Sequence, residues 1–221
     1  LDHLVYVGRI AEVMITGSRF HQGRTGHLIK SRAKVSRLTY NLIADGPAGQ
    51  ASYEVDLPQG GLAVLIGNVI VQGAHTQNPV VVSFGAKSKA WPGSAQYMAH
   101  NTLVNEHWPG AWFLRVWRDK LPAQTPVHLI NNLSVGSGVL AWGVAGPLAT
   151  SMGNATARLG QLTGPADLPF QLAINSGLRG QGSAIGSPDG VDLRPQAEFN
   201  WPIGTRPLQP LDRWSPGAFQ R

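Results

Sequence analysis

The chain has 221 residues, which is enough for one domain with a buried core. It carries 18 Lys and Arg against 12 Asp and Glu, without a run of like charges; this balance favours an anionic partner such as an acidic polysaccharide and argues against a nucleic-acid-binding arm. Cysteine is absent, which excludes disulfides and cysteine-based zinc sites, and no stretch has the length of a transmembrane helix.

Short apolar runs separated by Gly, Pro and Asn indicate an all-β chain. No window longer than about two turns has the 3.6-residue period of an amphipathic helix. A five-residue motif with a polar centre returns along the chain, centred on Ser18, Asn41, Asn68, Asn101 and Asn132. The intervals between these centres are 23, 27, 33 and 31 residues, which predicts one coil of a solenoid per interval.

Further strand-like runs recur between the motifs, at residues 26–32, 51–57, 62–66, 79–84 and 112–117. Such short strands cannot bury an apolar face alone, but stacked coils cover one another at strand spacing. Asn suits the corner of a coil because it tolerates left-handed backbone geometry. Stacked Asn side chains can also form hydrogen bonds along the axis, as in an Asn ladder.

Eight segments carry a likeness to a known group of proteins. They are residues 26–33 (GHLIKSRA), 51–58 (ASYEVDLP), 60–68 (GGLAVLIGN), 78–79 (NP), 83–86 (SFGA), 100–105 (HNTLVN), 186–188 (GSP) and 217–219 (GAF). Together they resemble bacterial right-handed parallel β-helix repeat proteins of the pectate-lyase-like superfamily, well over residues 4–135 and loosely in the tail. The resemblance implies a right-handed parallel β-helix, with export from the cell as in many relatives. It implies no single activity, because the group includes lyases, hydrolases, epimerases and members without demonstrated activity.

The repeat predicts a single domain over residues 1–221, with regular coils at 1–145 and irregular coils with a loop-rich C-terminal cap at 146–221. Residues 153–156 and 164–167 are interpreted as loops, and the Pro- and Arg-rich residues 189–221 are expected to wrap against the open end of the solenoid. The chain begins in strand-like sequence without the features of a signal peptide, so we expect further coils upstream. The resemblance implies a secreted or periplasmic protein.

The alternation of side chains along two strand-like runs predicts a charged cluster. Lys30 and Arg32 share one face of their run, and Glu54 and Asp56 share one face of the next. Their companions Ile29 and Val55 are expected to point inward, which places all four charges towards solvent. In register, the basic pair then lies beside the acidic pair, about 5 Å away.

This cluster admits several interpretations. In a lyase acting on an acidic polysaccharide by β-elimination, Lys30 or Arg32 serves as base and stabilises charge, and Glu54 and Asp56 position substrate or bind calcium. In a glycoside hydrolase, Glu54 and Asp56 are the acid and the base, although side chains two apart on one strand suit this loosely. The same four residues also suit an ion-pair ladder that fixes strand register, or a glycan-binding surface without catalysis.

Aromatic and cationic residues provide candidates for substrate binding. Trp112 and Trp117 flank Arg115 on one predicted strand, and aromatic faces stack on sugar rings while Arg pairs with carboxylates. His27 and Tyr53 are further candidates beside the charged cluster, although parity with Ile29 favours an inward or corner position for His27. His100, in the turn before Asn101, is interpreted as structural. Trp91 and Trp108 lie on predicted loops, and no pair of His residues has the spacing of a helical zinc motif.

Overall fold

The computed structural model describes residues 2–144 and 149–220, and within them the expected parallel β-helix is confirmed. Three sheets of six parallel strands run along the solenoid. The predicted right-handed winding stays a prediction. The boundary expected between regular and irregular coils, at residues 145 and 146, lies outside the described residues.

The strands are numbered in chain order and fall into three long sheets and two hairpins. Sheet A contains β1 (Val5–Val7), β4 (Ile29–Ser31), β7 (Val55–Leu57), β10 (Val80–Phe84), β13 (Ala111–Val116) and β16 (Gly138–Trp142). Sheet B contains β2 (Glu12–Thr16), β5 (Val35–Thr39), β8 (Leu62–Ile66), β11 (Ala95–Ala99), β14 (Val127–Ile130) and β17 (Ala149–Met152). Sheet C contains β3 (Arg19–Phe20), β6 (Leu42–Ala44), β9 (Val69–Gln72), β12 (Thr102–Asn105), β15 (Leu133–Val135) and β18 (Ala155–Ala157). The hairpins are β19 (Leu162–Thr163) with β20 (Gln171–Leu172), and β21 (Ala197–Phe199) with β22 (Thr205–Pro207). Short 3-10 turns lie at Arg118–Lys120, Leu159–Gln161 and Pro188–Gly190.

The core lies inside the three sheets and is apolar. Ile29 and Val55 are register partners with no exposed surface, as the alternation predicts. In sheet B, Leu38, Leu65 and Met98 stack on one another and are equally buried. Each coil therefore covers the apolar face of the next, which is why strands of two to six residues are stable here.

The Asn ladder follows the corner between sheets B and C. The side-chain Nδ2 of each Asn donates to Oδ1 of the Asn one coil further on, at 2.9 Å from Asn41 to Asn68, from Asn68 to Asn101 and from Asn101 to Asn132, and at 3.0 Å from Asn132 to Asn154. Each Asn backbone N–H donates to the same oxygen. The predicted ladder is thus confirmed, and its amides satisfy buried polar groups that water cannot reach.

Two details of this corner differ from the sequence prediction. The left-handed backbone belongs to the residue before each ladder position, at Gly17, Tyr40, Gly67, His100, Asn131 and Gly153, with φ between 53° and 64°. The chain turns at this residue, so the side-chain amide of the following ladder residue can stack on its neighbours. The loop expected at residues 153–156 is shorter than predicted, because Ala155 and Thr156 belong to β18 and pair with β15.

The C-terminal segment, residues 158–220, lies along the side of the solenoid. Its backbone N–H groups bond to the first coil at Gly17, to the second at the Tyr40 hydroxyl and to later coils at Thr102 and Asn131. Leu168, Phe199 and Phe219 pack on the apolar outer face of sheet C, and Ile185, Val191 and Leu193 pack on that of sheet B. The C-terminal segment therefore contacts the solenoid along its long axis, whereas the sequence predicted that residues 189–221 wrap against its open end.

Candidate functional site

The outer face of sheet A carries a row of side chains in register from coil to coil. We call it the central row, and it consists of Tyr6, Lys30, Asp56, Ser83, Arg115 and Trp142. Tyr6 and Trp142 at its ends are 52% and 53% exposed, whereas Ser83 in the middle is fully buried. Five strand steps give the row a length of about 24 Å. The face is thus an elongated trough with aromatic ends and a polar, recessed centre.

Lys30 and Asp56 form an ion pair in this trough. Nζ of Lys30 lies 3.2 Å from Oδ2 of Asp56, and the two residues are register partners, as the sequence predicts. Both are buried, with 9% and 3% exposure, so the expectation that they face open solvent is wrong. Burial raises the pKa of Asp56, and the charge of Lys30 opposes that rise. The second oxygen, Oδ1, is buried without a hydrogen-bond partner.

Glu54 lies away from this ion pair. Its side chain has no exposed surface, which corrects the prediction that it shares a solvent face with Asp56. The reason is local, since β7 begins at Val55 and the alternation of a strand does not extend to residue 54. Burial raises the pKa of Glu54 well above its ordinary value, and the nearby carboxylate of Asp45 raises it further. Within the part of the chain that the structure describes, no group of three His, Asp or Glu residues is placed to hold a metal ion.

A column of aromatic rings borders the ion pair. The rings of His3 and His27 stack at 4.7 Å between centroids, and those of His27 and Tyr53 at 4.8 Å. Nε2 of His27 lies 3.4 Å from Oδ2 of Asp56, so His27 is on the outer side of the coil and the parity argument for an inward side chain is wrong. Residue 27 precedes β4, where alternation begins. Burial, and then the charge of Lys30, lower the pKa of His27 to about 3, which leaves the imidazole neutral.

Arg115 lies inside a ring of three tryptophans. Its guanidinium carbon is 4.8 Å from the ring centroid of Trp117, 5.1 Å from that of Trp112 and 5.9 Å from that of Trp142. The flanking position of Trp112 and Trp117 follows the sequence prediction. Trp142 was missed because it lies one coil further on, and the signal that identifies it is its register with Arg115. Nε and Nη1 of Arg115 are buried without hydrogen-bond partners.

The remaining candidates lie around the trough or away from it. The guanidinium of Arg32 lies 5.5 Å from the ring centroid of Tyr6, at one end of the central row. Trp91 donates from Nε1 to the carbonyl oxygen of Arg32 at 3.0 Å. Trp108 is 82% exposed on the turn that leads into β13. His100 is fully buried and bonds to Asn131 and Gln220 from the C-terminal segment, in agreement with a structural role.

Comparisons of the chain with protein-family models, with curated proteins and with solved structures found no match. Among the described residues, no helix has the length and apolar character needed to cross a membrane.

Proposed function

We propose that the protein binds an acidic polysaccharide along the trough of sheet A and cleaves it by β-elimination beside Lys30. The observation that carries the proposal is the central row, about 24 Å long, in which the cationic side chains of Lys30 and Arg115 lie between the aromatic ends Tyr6 and Trp142. Aromatic faces bind sugar rings and basic groups bind carboxylates, so this order of side chains suits an extended anionic glycan. The C-terminal segment packs on the outer faces of sheets B and C, whereas the central row lies on sheet A.

The ion pair provides a chemical route for the cleavage. Lys30 must give up its ammonium proton before its amine can act as base, and Asp56, whose Oδ2 lies 3.2 Å from Nζ, is placed to receive that proton. The amine removes the proton from the carbon next to the uronate carboxylate. The released electron pair forms the carbon–carbon double bond as the glycosidic carbon–oxygen bond breaks, and the proton held by Asp56 passes to the leaving oxygen, which restores the ion pair. Arg32 neutralises the carboxylate, on which negative charge builds up in the transition state.

The proposal extends to membership of the pectate-lyase-like group and to export from the cell. Three parallel sheets and a continuous Asn ladder support that membership. An enzyme whose substrate is a large extracellular polymer must meet it outside the cytoplasm. Calcium held by Glu54 and Asp56, as expected from the sequence, is kept only as a condition of the test, because Glu54 is fully buried, Asp56 is paired with Lys30, and no group of three His, Asp or Glu residues in the described part of the chain is placed to hold a metal ion.

A direct test incubates the protein with polygalacturonate, alginate, a glycosaminoglycan and a neutral glucan, each with calcium or with a chelator. Ultraviolet absorbance follows the unsaturated product, and a reducing-end assay follows every cleavage. We expect both signals to rise together on an acidic polymer. Reducing ends without absorbance contradict the lyase and indicate a hydrolase, and silence on every polymer removes both enzymatic proposals.

Two variants separate chemistry from folding. Lys30→Met removes the amine and is expected to abolish turnover, with circular dichroism verifying that the solenoid is intact. Lys34→Met is the matched control, because Lys34 is exposed on the same coil and has the same side chain. Full activity of Lys30→Met contradicts the assigned role of Lys30.

A glycan-binding or surface-structural protein without catalysis is the second candidate. It is favoured by the ion pair itself, since Lys30 and Asp56 at 3.2 Å neutralise each other in the absence of substrate. This candidate predicts saturable binding of an acidic glycan without new reducing ends or unsaturated product. A hydrolase that uses Glu54 and Asp56 is less well supported, because Glu54 is fully buried and cannot touch a polymer in the trough.

A further inference from the structure

We infer that Arg115 and its three tryptophans form a separate anion subsite, which binds an acidic group of the polymer several sugar units away from Lys30. The inference rests on the proposed function and adds to it a requirement on the length and charge of the ligand. Arg115 lies next to Trp142 at one end of the central row, whereas Lys30, at which cleavage is proposed, lies next to Tyr6 at the other end.

The first argument is the electrostatic state of Arg115. Its side chain is partly buried, and none of the ion pairs among residues 2–144 and 149–220 involves it. Nε and Nη1 are both buried and without a hydrogen-bond partner. A guanidinium always carries its charge, and removing its donors from water without an acceptor is costly. An anionic ligand group beside the guanidinium supplies the counter-charge that this side chain lacks among the described residues.

The second argument is the aromatic surround. The three tryptophan rings lie within 6 Å of the guanidinium carbon, where cation–π attraction holds the planar group in place. Trp117 is itself fixed by a 3.2 Å hydrogen bond from its Nε1 to Ser83 Oγ. Nζ of Lys120 lies 5.0 Å from the ring centroid of Trp117 and adds a second positive charge. The site is therefore positioned before any ligand arrives, which lowers the entropic cost of binding.

The third argument is the space next to this cage. A depression of about 490 Å³ is lined by Trp112 together with Pro109, Gly138 and Val139. Trp112 and Trp142 lie stacked at 6.0 Å between centroids, so the flank of the depression is an extended aromatic surface. A sugar ring that packs there can direct an acidic substituent towards Arg115. The chemical class of ligand is thus a glycan unit with a carboxylate or a sulfate group.

Register sets the distance from this subsite to the proposed chemistry. Lys30 on β4 and Arg115 on β13 are separated by three strand steps, about 14 Å. A single sugar unit does not span that distance. The subsite therefore contributes to affinity only for oligomers long enough to reach both ends of the trough, and it does not take part in bond cleavage.

The test measures binding without turnover, by the fluorescence of the tryptophans around Arg115. Probes are acidic oligomers of two and eight units from galacturonan and alginate, carboxyl-reduced galacturonan octamer, and a sulfated glucan. We expect an acidic octamer to change the emission and the reduced octamer not to do so; a response to the sulfated glucan alone identifies sulfate as the group. No response to any acidic probe overturns the inference.

Variants locate the effect. Arg115→Gln is expected to weaken octamer binding roughly 10- to 100-fold, with little effect on the dimer. Arg194→Gln is the control, because it removes the same charge from an exposed site in the C-terminal segment. Equal octamer affinity of Arg115→Gln and wild type overturns the subsite even if cleavage is found. Conversely, octamer binding that depends on Arg115 in a protein without lyase activity keeps the subsite and rejects the proposed reaction.

Discussion

Nζ of Lys30 and Oδ2 of Asp56 lie 3.2 Å apart across two neighbouring coils, and both side chains are withdrawn from solvent. An exposed ion pair of this kind is worth little, since water screens it. A buried pair behaves differently, because each charge depends on the other for compensation of its lost hydration. Removal of one partner alone therefore destabilises the solenoid, because the other charge stays buried without compensation.

This dependence predicts a strong coupling between the two residues. Lys30→Met leaves Asp56 buried without its counter-charge, and we expect a loss of about 3 kcal/mol in the free energy of unfolding. The double variant Lys30→Met with Asp56→Asn is expected to lose less than the sum of the single changes. Urea denaturation of the four proteins at pH 7 measures this coupling. Additive losses contradict it and indicate that solvent reaches the pair.

The Asn ladder predicts a cost that depends on position. Asn101 is fully buried in the middle of the ladder; its Nδ2 donates to Leu65 O and Asn132 Oδ1, and its Oδ1 accepts from Asn68. Asn101→Ala removes the donor to Leu65 O and the acceptor of the Asn68 backbone N–H, at about 1–3 kcal/mol each, so we expect a loss of at least about 2 kcal/mol.

Asn154 provides the matched control for that variant. It is the last ladder residue, it is only partly buried, and water can replace its amide. Asn154→Ala is therefore expected to lower the urea midpoint much less than Asn101→Ala. Similar midpoints for the two variants contradict the ladder as a source of stability.

Periodic features of this fold could be predicted from sequence because they are local and repeated. The spacing of Asn41, Asn68, Asn101 and Asn132 indicated the coils, and alternation correctly placed Ile29 and Val55 in the core. The same alternation failed for Glu54, because it holds only inside a strand and residue 54 precedes one.

Contacts between distant parts of the chain could not be predicted. Trp142 contacts Arg115 because β13 and β16 pair in a register that places the two residues side by side. The sequence does not determine this register, because the intervals of the repeat differ in length. The C-terminal segment has no repeat, so the sequence did not indicate that Phe199 and Phe219 pack on the outer face of sheet C. The face that it leaves uncovered, which defines the candidate site, follows from those distant contacts.

The attachment of the C-terminal segment can be tested at Tyr40. The backbone N–H of Gln196 donates to the Tyr40 hydroxyl at 2.8 Å, beside the corner of the second coil. Tyr40→Phe retains the ring and removes this acceptor, and we expect a loss of about 1 kcal/mol. Limited proteolysis should cleave the variant faster within the C-terminal segment. Unchanged cleavage rates contradict a role of this bond in holding the segment.

Because of the buried Glu54, we expect the free energy of unfolding to fall as the pH rises. Its pKa is raised above the ordinary 4.5, so the folded protein holds this proton more tightly than the unfolded chain does. The stability that this provides is fully present below pH 4.5 and is lost as the pH rises through the raised value. Glu54→Gln resembles the protonated form, and we expect a higher urea midpoint than wild type at pH 8 but no gain at pH 4. Glu12→Gln, at an exposed site, should change neither midpoint.

For His100 we expect the opposite, namely that the free energy of unfolding falls as the solution is acidified. Burial lowers its pKa from 6.5 to about 4, so the unfolded chain takes up this proton first as the solution is acidified. Stability from the neutral imidazole is fully present above pH 6.5 and decreases by roughly 3 kcal/mol between there and pH 4. His100→Asn removes the titration and retains a residue that tolerates the φ of 53° at this corner. Urea midpoints between pH 7 and pH 4.5 should therefore fall less steeply in the variant than in wild type. A residual slope is expected from His27, whose pKa is lowered in the same direction, and identical slopes for the two proteins would show that His100 is accessible to protons in the fold.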